Sequence, residues 1–231
     1  MKKRAVMGVM AIVAMLCATV SVAAQEGALK GSISADVVSS YVWRGATASA
    51  APNIQPTASL NWKNFTMGVW GSFDLQGEYK EVDLFLTYSL KDLSLTLTDY
   101  NWGFQEKYFM YKKARTEHIL EAALAYGGSE AFPLKMTVAT MFYGQDKKPA
   151  DPSKNAYSTY AELSYAIGSV TPFVGATFDE GMYGTGAGVV NVGVTATKEV
   201  KISSDYSLPL FCTFAVNPRK EDVFLVFGLR L

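Results

Sequence analysis

The chain has 231 residues, with 21 basic and 21 acidic side chains and a formal net charge of zero. Nucleic-acid-binding domains usually carry a basic excess, so this balance argues against a nucleic-acid partner. The two Cys and one His leave almost no material for a disulfide framework, a thiolate metal site or a histidine-based active site. We therefore expect no enzymatic activity, no bound metal and no cofactor.

The N-terminal segment has the composition of a secretory signal peptide. Residues 2–4 are basic, residues 5–18 form an apolar run, and residues 22–24 are small enough for signal peptidase. The apolar run is shorter than the roughly 20 residues that a transmembrane helix needs. We predict a cleaved signal peptide over residues 1–24 and one domain over residues 25–231.

Beyond the signal peptide, apolar and polar residues alternate with the period of two that is typical of β-strands. Twelve segments follow this pattern; in one of them Leu93, Leu95 and Leu97 share a face opposite Ser94 and Thr96. No mostly apolar face carries a charge near its middle. Alternation alone does not separate a membrane barrel from a soluble sandwich or lipocalin, in which the apolar face points inward.

Two further patterns favour the membrane barrel. Short connections alternate with longer polar ones such as residues 144–156, as in outer-membrane barrels with short periplasmic turns and long external loops. Aromatic residues lie beside both kinds of connection, as expected for girdles at the two membrane interfaces. The predicted girdle residues are Trp43, Trp62, Tyr88, Trp102, Tyr126 and Tyr165.

These patterns predict an all-β fold, an antiparallel up-and-down transmembrane β-barrel of about 12 strands. The segment over residues 114–127 is ambiguous, because its Glu, Ala and Leu content would suit a helix equally well. We assign it as a strand because bacterial single-chain barrels have an even number of strands.

Several short motifs resemble those of a known family. They are Ser40-Tyr41-Val42-Trp43-Arg44-Gly45, the spaced Pro52, Gln55 and Pro56, Gly68-Val69-Trp70-Gly71-Ser72, Glu81-Val82-Asp83, Asn217-Pro218 and Glu221-Asp222-Val223-Phe224. Together they resemble the TorF-like porins of Gram-negative bacteria, especially the versions found in Bacteroidetes. The resemblance implies a β-barrel in the cell outer membrane with the lipid bilayer as its partner, and it supplies no catalytic residues.

In such a barrel the polar faces would line the lumen. The candidate lumen residues are Asp36, Arg44, Asp74, Asp83, Glu121, Lys135 and Glu162. An acidic excess would favour cationic or neutral solutes. Paired charges and inward aromatic residues could instead fill a narrow, closed barrel, and the same aromatic residues could also stack against a sugar or nucleoside. The inward aromatic residues are Trp70, Phe85, Tyr100, Tyr160, Phe173 and Phe211.

Arg44 and His118 are the two single residues for which a functional role is weighed most closely against a structural one. Arg44 would either pair with a lumen carboxylate such as Asp36 or Asp83 and bias which solutes pass, or serve only as a structural ion pair beside Trp43. His118, the only imidazole, is predicted to face outward at the external rim, away from any nucleophile.

We expect a porin-like channel in the outer membrane for the passive diffusion of small hydrophilic solutes. The alternative is a closed outer-membrane barrel with a structural or surface-interaction role. The sequence leaves open whether the lumen is open or plugged, which solute passes and which oligomer forms.

Overall fold

The structure, a computed structural model, describes residues 28–102, 108–112 and 116–231, so the predicted signal peptide lies outside the described residues. None of the described segments is a helix that could span a bilayer. The strands, in chain order, are β1 Lys30–Val38, β2 Tyr41–Trp43, β3 Ala46–Ser49, β4 Asn53–Trp62, β5 Phe65–Asp74, β6 Lys80–Leu90, β7 Leu93–Asn101, β8 His118–Tyr126, β9 Leu134–Gly144, β10 Lys147–Lys148, β11 Asp151–Asn155, β12 Thr159–Tyr165, β13 Val170–Thr177, β14 Glu180–Gly181, β15 Gly184–Thr185, β16 Gly188–Lys201, β17 Ser207–Asn217 and β18 Asp222–Arg230.

Twelve of these strands form one closed antiparallel barrel, in the order β1-β18-β17-β16-β13-β12-β9-β8-β7-β6-β5-β4. Closure comes from β1, which pairs with β4 on one side and with β18 on the other, where Asp36 lies opposite Arg230. This arrangement confirms the predicted twelve-stranded barrel. It also confirms the assignment of the ambiguous segment, because β8 lies within it and pairs along its length with β7 and β9.

The wall of the barrel is apolar outside and polar inside. On β7, Leu93, Leu95 and Leu97 point outward and are 50%, 48% and 45% exposed. The inner face carries hydroxyl pairs between neighbouring strands, such as Thr195 and Thr213, whose Oγ1 atoms are 2.8 Å apart. Every buried side-chain nitrogen or oxygen of the described residues has a hydrogen-bond partner. The inside is thus a satisfied polar space, and the outside is a hydrocarbon surface.

The two ends of the barrel differ. At one end, here called the turn end, the links are short, as over residues 63–64 and 91–92. At the other, the loop end, the links over residues 39–52, 145–158 and 178–187 each contain a small two-stranded hairpin, namely β2–β3, β10–β11 and β14–β15.

The structure divides the first predicted strand, in which Ile33, Ala35, Val37, Tyr41 and Trp43 are expected to share one face. The observed β1 ends at Val38, and the chain bends at Ser39 and Ser40. The Ser39 Oγ accepts a hydrogen bond from the Phe227 amide at 3.0 Å. The period of two persists past the bend because β2 is also a strand, although it belongs to a separate hairpin rather than to the barrel wall.

Several inward aromatic rings lie over glycines of the neighbouring strand. A Cβ on Gly68 would meet the Phe85 ring at 2.5 Å, and a Cβ on Gly228 would meet the Phe211 ring at 2.1 Å. Tyr160 covers Gly175 in the same way. These rings therefore pack against the wall and shield backbone that has no side chain of its own.

Gly193 is another glycine under an inward ring, and because backbone crowds it as well, it should tolerate no side chain. In Gly193→Ala the new Cβ would lie 2.4 Å from the Phe214 carbonyl oxygen and 2.5 Å from the Phe173 ring. We expect this variant to lose about 1–3 kcal/mol of unfolding free energy, because the strands must separate to admit the methyl group. Urea titration of refolded protein, followed by tryptophan fluorescence, measures the loss. Gly31→Ala is the control, since its nearest neighbours are 3.8 Å away; equal effects in the two variants would contradict the packing argument.

Candidate functional site in the lumen

The β2–β3 hairpin of the first loop turns into the barrel, where Trp43 packs against the buried cluster. Trp43 pairs with Ala46, so that Arg44 and Gly45 form a two-residue turn. Both have positive φ, at 49° and 77°, which is the signature of a type I′ turn. Glycine adopts this conformation freely, whereas the conformation at Arg44 is unfavourable and must be held by contacts elsewhere.

The tip of the hairpin touches the barrel wall at β17 and β16. The Gly45 carbonyl accepts a hydrogen bond from Asn217 Nδ2 on β17 at 2.8 Å. A Cβ on Gly45 would lie only 2.0 Å from the Val190 carbonyl oxygen of β16. The glycine therefore permits both the turn and its close approach to the wall.

Arg44 anchors the tip to a third wall strand. Its guanidinium makes a bidentate pair with Glu121 on β8, with Nη1–Oε2 at 2.5 Å and Nη2–Oε1 at 2.9 Å. The two side chains are only 13% and 2% exposed. The Tyr183 hydroxyl accepts a further hydrogen bond from Nη1, and Tyr100 donates to Glu121 Oε1 at 3.0 Å. This buried, hydrogen-bonded pair supplies contacts that can hold the strained turn.

Aromatic rings surround the guanidinium. The Arg44 Cζ lies 4.6 Å from the Trp43 ring centroid and 4.9 Å from that of Tyr160, within cation–π range. Trp43 in turn lies 5.5 Å from Tyr100 and 5.7 Å from Tyr183. We call Trp43, Arg44, Tyr100, Tyr160 and Tyr183 the plug cluster.

The plug cluster is charged at one point only. Burial lowers the pKa of Arg44, but its hydrogen bonds to Glu121 and the nearby oxygens of Tyr183 and Tyr100 outweigh this effect, and the pKa is raised. Burial raises the pKa of the Tyr183 hydroxyl, which stays neutral. Arg44 is therefore the charged member of the plug cluster, and its guanidinium pairs with the carboxylate of Glu121, which lies outside the cluster.

The structure brings three other predicted lumen acids to the inner wall. Glu162 accepts from the Tyr160 hydroxyl at 2.5 Å. Asp83 is buried and accepts from the Asn101 amide at 3.2 Å. Asp36 pairs with Arg230 through two contacts of 2.7 Å. Arg44 thus pairs with Glu121 and not with either acid considered from the sequence.

Asp74 and Lys135 have different positions from these acids. Asp74 caps the turn after β5, where its carboxylate accepts from the amides of Gly77 at 2.6 Å and Glu78 at 2.9 Å. This carboxylate stabilises an exposed turn at the loop end, and its assignment to the lumen stays a prediction. Lys135 lies exposed near the start of β9, at the turn end.

The predicted aromatic girdle divides into two groups. Trp62, Tyr88 and Tyr165 lie exposed on the outer wall near the turn end, and Tyr126 ends β8 at the same end. Trp43 and Trp102 were wrongly assigned to the girdle. Trp43 is carried inward by the hairpin, and Trp102 follows it, because its indole nitrogen donates to the buried carboxylate of Glu81 and its ring lies 6.0 Å from that of Trp43.

His118 keeps its predicted outward side but is not exposed. It lies opposite Asn101 on β7 and is 1% exposed, beneath the loop residues Tyr108 and Tyr111. Its Nδ1 is 2.7 Å from Asp99 Oδ1, and the Tyr111 ring stacks on the imidazole at 4.2 Å. Strand parity predicts which face of the wall His118 takes, but it does not show that loop residues cover that face.

A cavity of about 640 Å³ lies between the hairpin and the turn end. Its lining includes Asp36, Arg44, Gln55, Phe173, Asn191 and Phe211, and it reaches the exposed Glu199 near the end of β16. Among the described ranges, no group of three or more His, Cys, Asp or Glu is placed to hold a metal ion. The site is therefore a polar, aromatic-walled chamber bounded on one side by Arg44 and Gly45 at the hairpin tip.

Tyr183, Asn191 and Asn217 were missed as site residues by the sequence reasoning. Tyr183 lies in the link at residues 178–187, whose spaced glycines favour a loop and give no sign that one of its side chains is buried. Asn217 was noticed only as part of a motif. The fold defined here is a closed twelve-stranded barrel with a polar, partly filled interior. No protein-family model, curated protein or solved structure matches the chain.

Proposed function

We propose that the protein is a barrel of the bacterial outer membrane. The apolar outer wall and the satisfied polar interior support this location, because a hydrocarbon surface of this extent requires lipid around it. The signal-peptide pattern of residues 1–24 and the motifs shared with TorF-like porins support it from the sequence. Refolded protein that stays monodisperse in buffer without detergent would contradict this location.

Within that membrane, we propose a porin-like channel for the passive diffusion of small hydrophilic solutes, narrowed by the β2–β3 hairpin. The observation that carries the proposal is the chamber of about 640 Å³, lined by charged and amide side chains, inside a closed barrel. A barrel with only a structural role needs no such space. Solutes would move through the part of the lumen that the hairpin leaves free, and displacement of the hairpin would widen it.

The plug cluster favours a second candidate, a closed barrel with a structural or surface-interaction role. The buried pair of Arg44 and Glu121 fixes the hairpin across the lumen. If that pair holds permanently, solutes would not cross.

Single-channel recording separates the two candidates. We expect refolded wild-type protein in a planar bilayer at high salt to show small conductance steps, and Arg44→Ala to show larger ones, because the hairpin loses its anchor. Lys154→Ala, which breaks an exposed ion pair with Asp151 outside the chamber lining, should leave the step size close to that of the wild type. A silent bilayer with wild-type protein would favour the closed barrel.

A further inference from the structure

The chamber below the hairpin has charges that are already neutralised in pairs. Arg44, at its upper boundary, is matched by Glu121, and Arg230 is matched by Asp36 on the opposite strand. Glu199 is also part of the lining, but it lies exposed toward the turn end. The deeper part of the chamber therefore presents no unmatched full charge from these groups, which suits an uncharged ligand better than an ion.

The remaining polar groups of the chamber are neutral donors and acceptors. Gln55 and Asn191 project amides, and Thr195 and Thr213 project hydroxyls, into the lining. The NH₂ group of each amide already donates a hydrogen bond within the protein, from Gln55 to Ser72 at 3.2 Å and from Asn191 to Tyr160 at 3.1 Å. Their carbonyl oxygens can accept from a ligand rich in hydroxyl groups, and the threonine pair, whose hydroxyls bond each other, keeps one O–H donor and free acceptor positions for it.

Two aromatic rings face the same space. Phe173 and Phe211 line the chamber, and each is fixed on its other side because it lies over a glycine, Gly193 and Gly228 respectively. A fixed aromatic ring beside neutral hydrogen-bonding groups matches the chemistry of a sugar ring, which has an apolar C–H face and a polar rim of hydroxyls.

We propose that this chamber is a binding site for a neutral mono- or disaccharide, with Phe211 and Phe173 packing on the sugar face and Asn191 and Gln55 binding its hydroxyls. The volume of about 640 Å³ lies within the usual range of roughly 300–1,000 Å³ for small-molecule sites. The inference rests on the proposed function in one respect only, namely that solutes reach the lumen.

Saturation-transfer NMR on the refolded protein in a sugar-free detergent tests the site. The probes are maltose, which is neutral, and gluconate, which has similar hydroxyls and a negative charge. We expect saturation transfer to maltose and a weaker signal for gluconate. In Phe211→Ala the affinity for maltose should fall about fivefold, because one aromatic contact is lost.

Phe85→Ala is the matched control. Phe85 is also an inward ring over a glycine, Gly68, but it does not line the chamber. The affinity of the Phe85→Ala variant for maltose should therefore equal that of the wild type. Cooperative urea unfolding of both variants shows that they are folded. Absence of maltose binding, equal or stronger binding of gluconate, or equal losses in the two variants would each overturn the site.

The outcome is independent of the channel measurement. A silent bilayer with wild-type protein that nevertheless binds maltose would remove the channel and leave the sugar site. Conductance without maltose binding would remove the sugar site and leave the channel.

Discussion

Arg44→Ala is expected to lower the free energy of unfolding by about 3–5 kcal/mol, the cost of leaving one member of a buried ion pair without its partner. Glu121 is only 2% exposed and would be left buried with Tyr100 as its remaining hydrogen-bond donor. The cation–π contacts with Trp43 and Tyr160 would be lost at the same time. Urea titration of the refolded protein, followed by tryptophan fluorescence, measures the change.

The matched control is the other arginine–carboxylate pair of the barrel. Arg230 forms equally short contacts with Asp36, but its side chain is 61% exposed, so Arg230→Ala should cost about 0–1 kcal/mol. Both variants remove an arginine from a two-contact pair with a carboxylate, and the two sites differ in burial and in the aromatic contacts of Arg44. If both variants lost the same stability, the hairpin would not be anchored by a buried pair.

Gly45→Ala is the second change with a large expected effect, a loss of roughly 2–5 kcal/mol. The φ of 77° costs an alanine about 1–2 kcal/mol, and the contact of 2.0 Å between the new Cβ and the Val190 carbonyl adds an overpacking penalty of about 1–3 kcal/mol. Because backbone cannot yield easily, we expect the tip to leave the wall and the single-channel conductance to increase. Urea titration and bilayer recording are the two measurements.

Gly77→Ala distinguishes backbone strain from the clash. Gly77 has nearly the same φ, 80°, with no atom within 4 Å of the added Cβ, so only the conformational penalty applies, and the conductance should not change. Combining Gly45→Ala with Arg44→Ala should cost less than the sum of the two, since each change unseats the same hairpin. Strict additivity would show that the tip and the ion pair act separately.

These results would establish how the interior is controlled. The hairpin leaves the wall between β1 and β4 and contacts β8, β16 and β17. Among the described residues, its tip is held by the Arg44–Glu121 ion pair, the hydrogen bond from Asn217, the close approach of Gly45 to Val190 and the ring contacts of the plug cluster. The ion pair and the glycine contact each depend on one hairpin residue, so a single substitution can loosen the tip without disrupting the wall, where each strand pairs along most of its length.

The barrel itself was predictable from the sequence because strand periodicity is local. The spacing of Leu93, Leu95 and Leu97 is enough to predict that they share one face of a strand. The alternation of short and long links likewise predicts that consecutive strands are antiparallel neighbours. The outward girdle at the turn end, with Trp62 and Tyr88, followed from the same rule, since both belong to wall strands. Even β8 was assigned correctly through the requirement for an even strand number.

The interior of the loop end was decided by tertiary structure alone. Trp43 continues the alternation of β1, so parity placed it on the outer wall, and only the bend at Ser39 and Ser40 sends it inward. The pairing of Arg44 with Glu121 joins residues 77 positions apart, and nothing in the spacing selects Glu121 over Asp36 or Asp83. Local patterns specify which face a side chain takes on its own strand, whereas the partner of a buried charge depends on which distant strands the closed barrel brings within hydrogen-bonding distance.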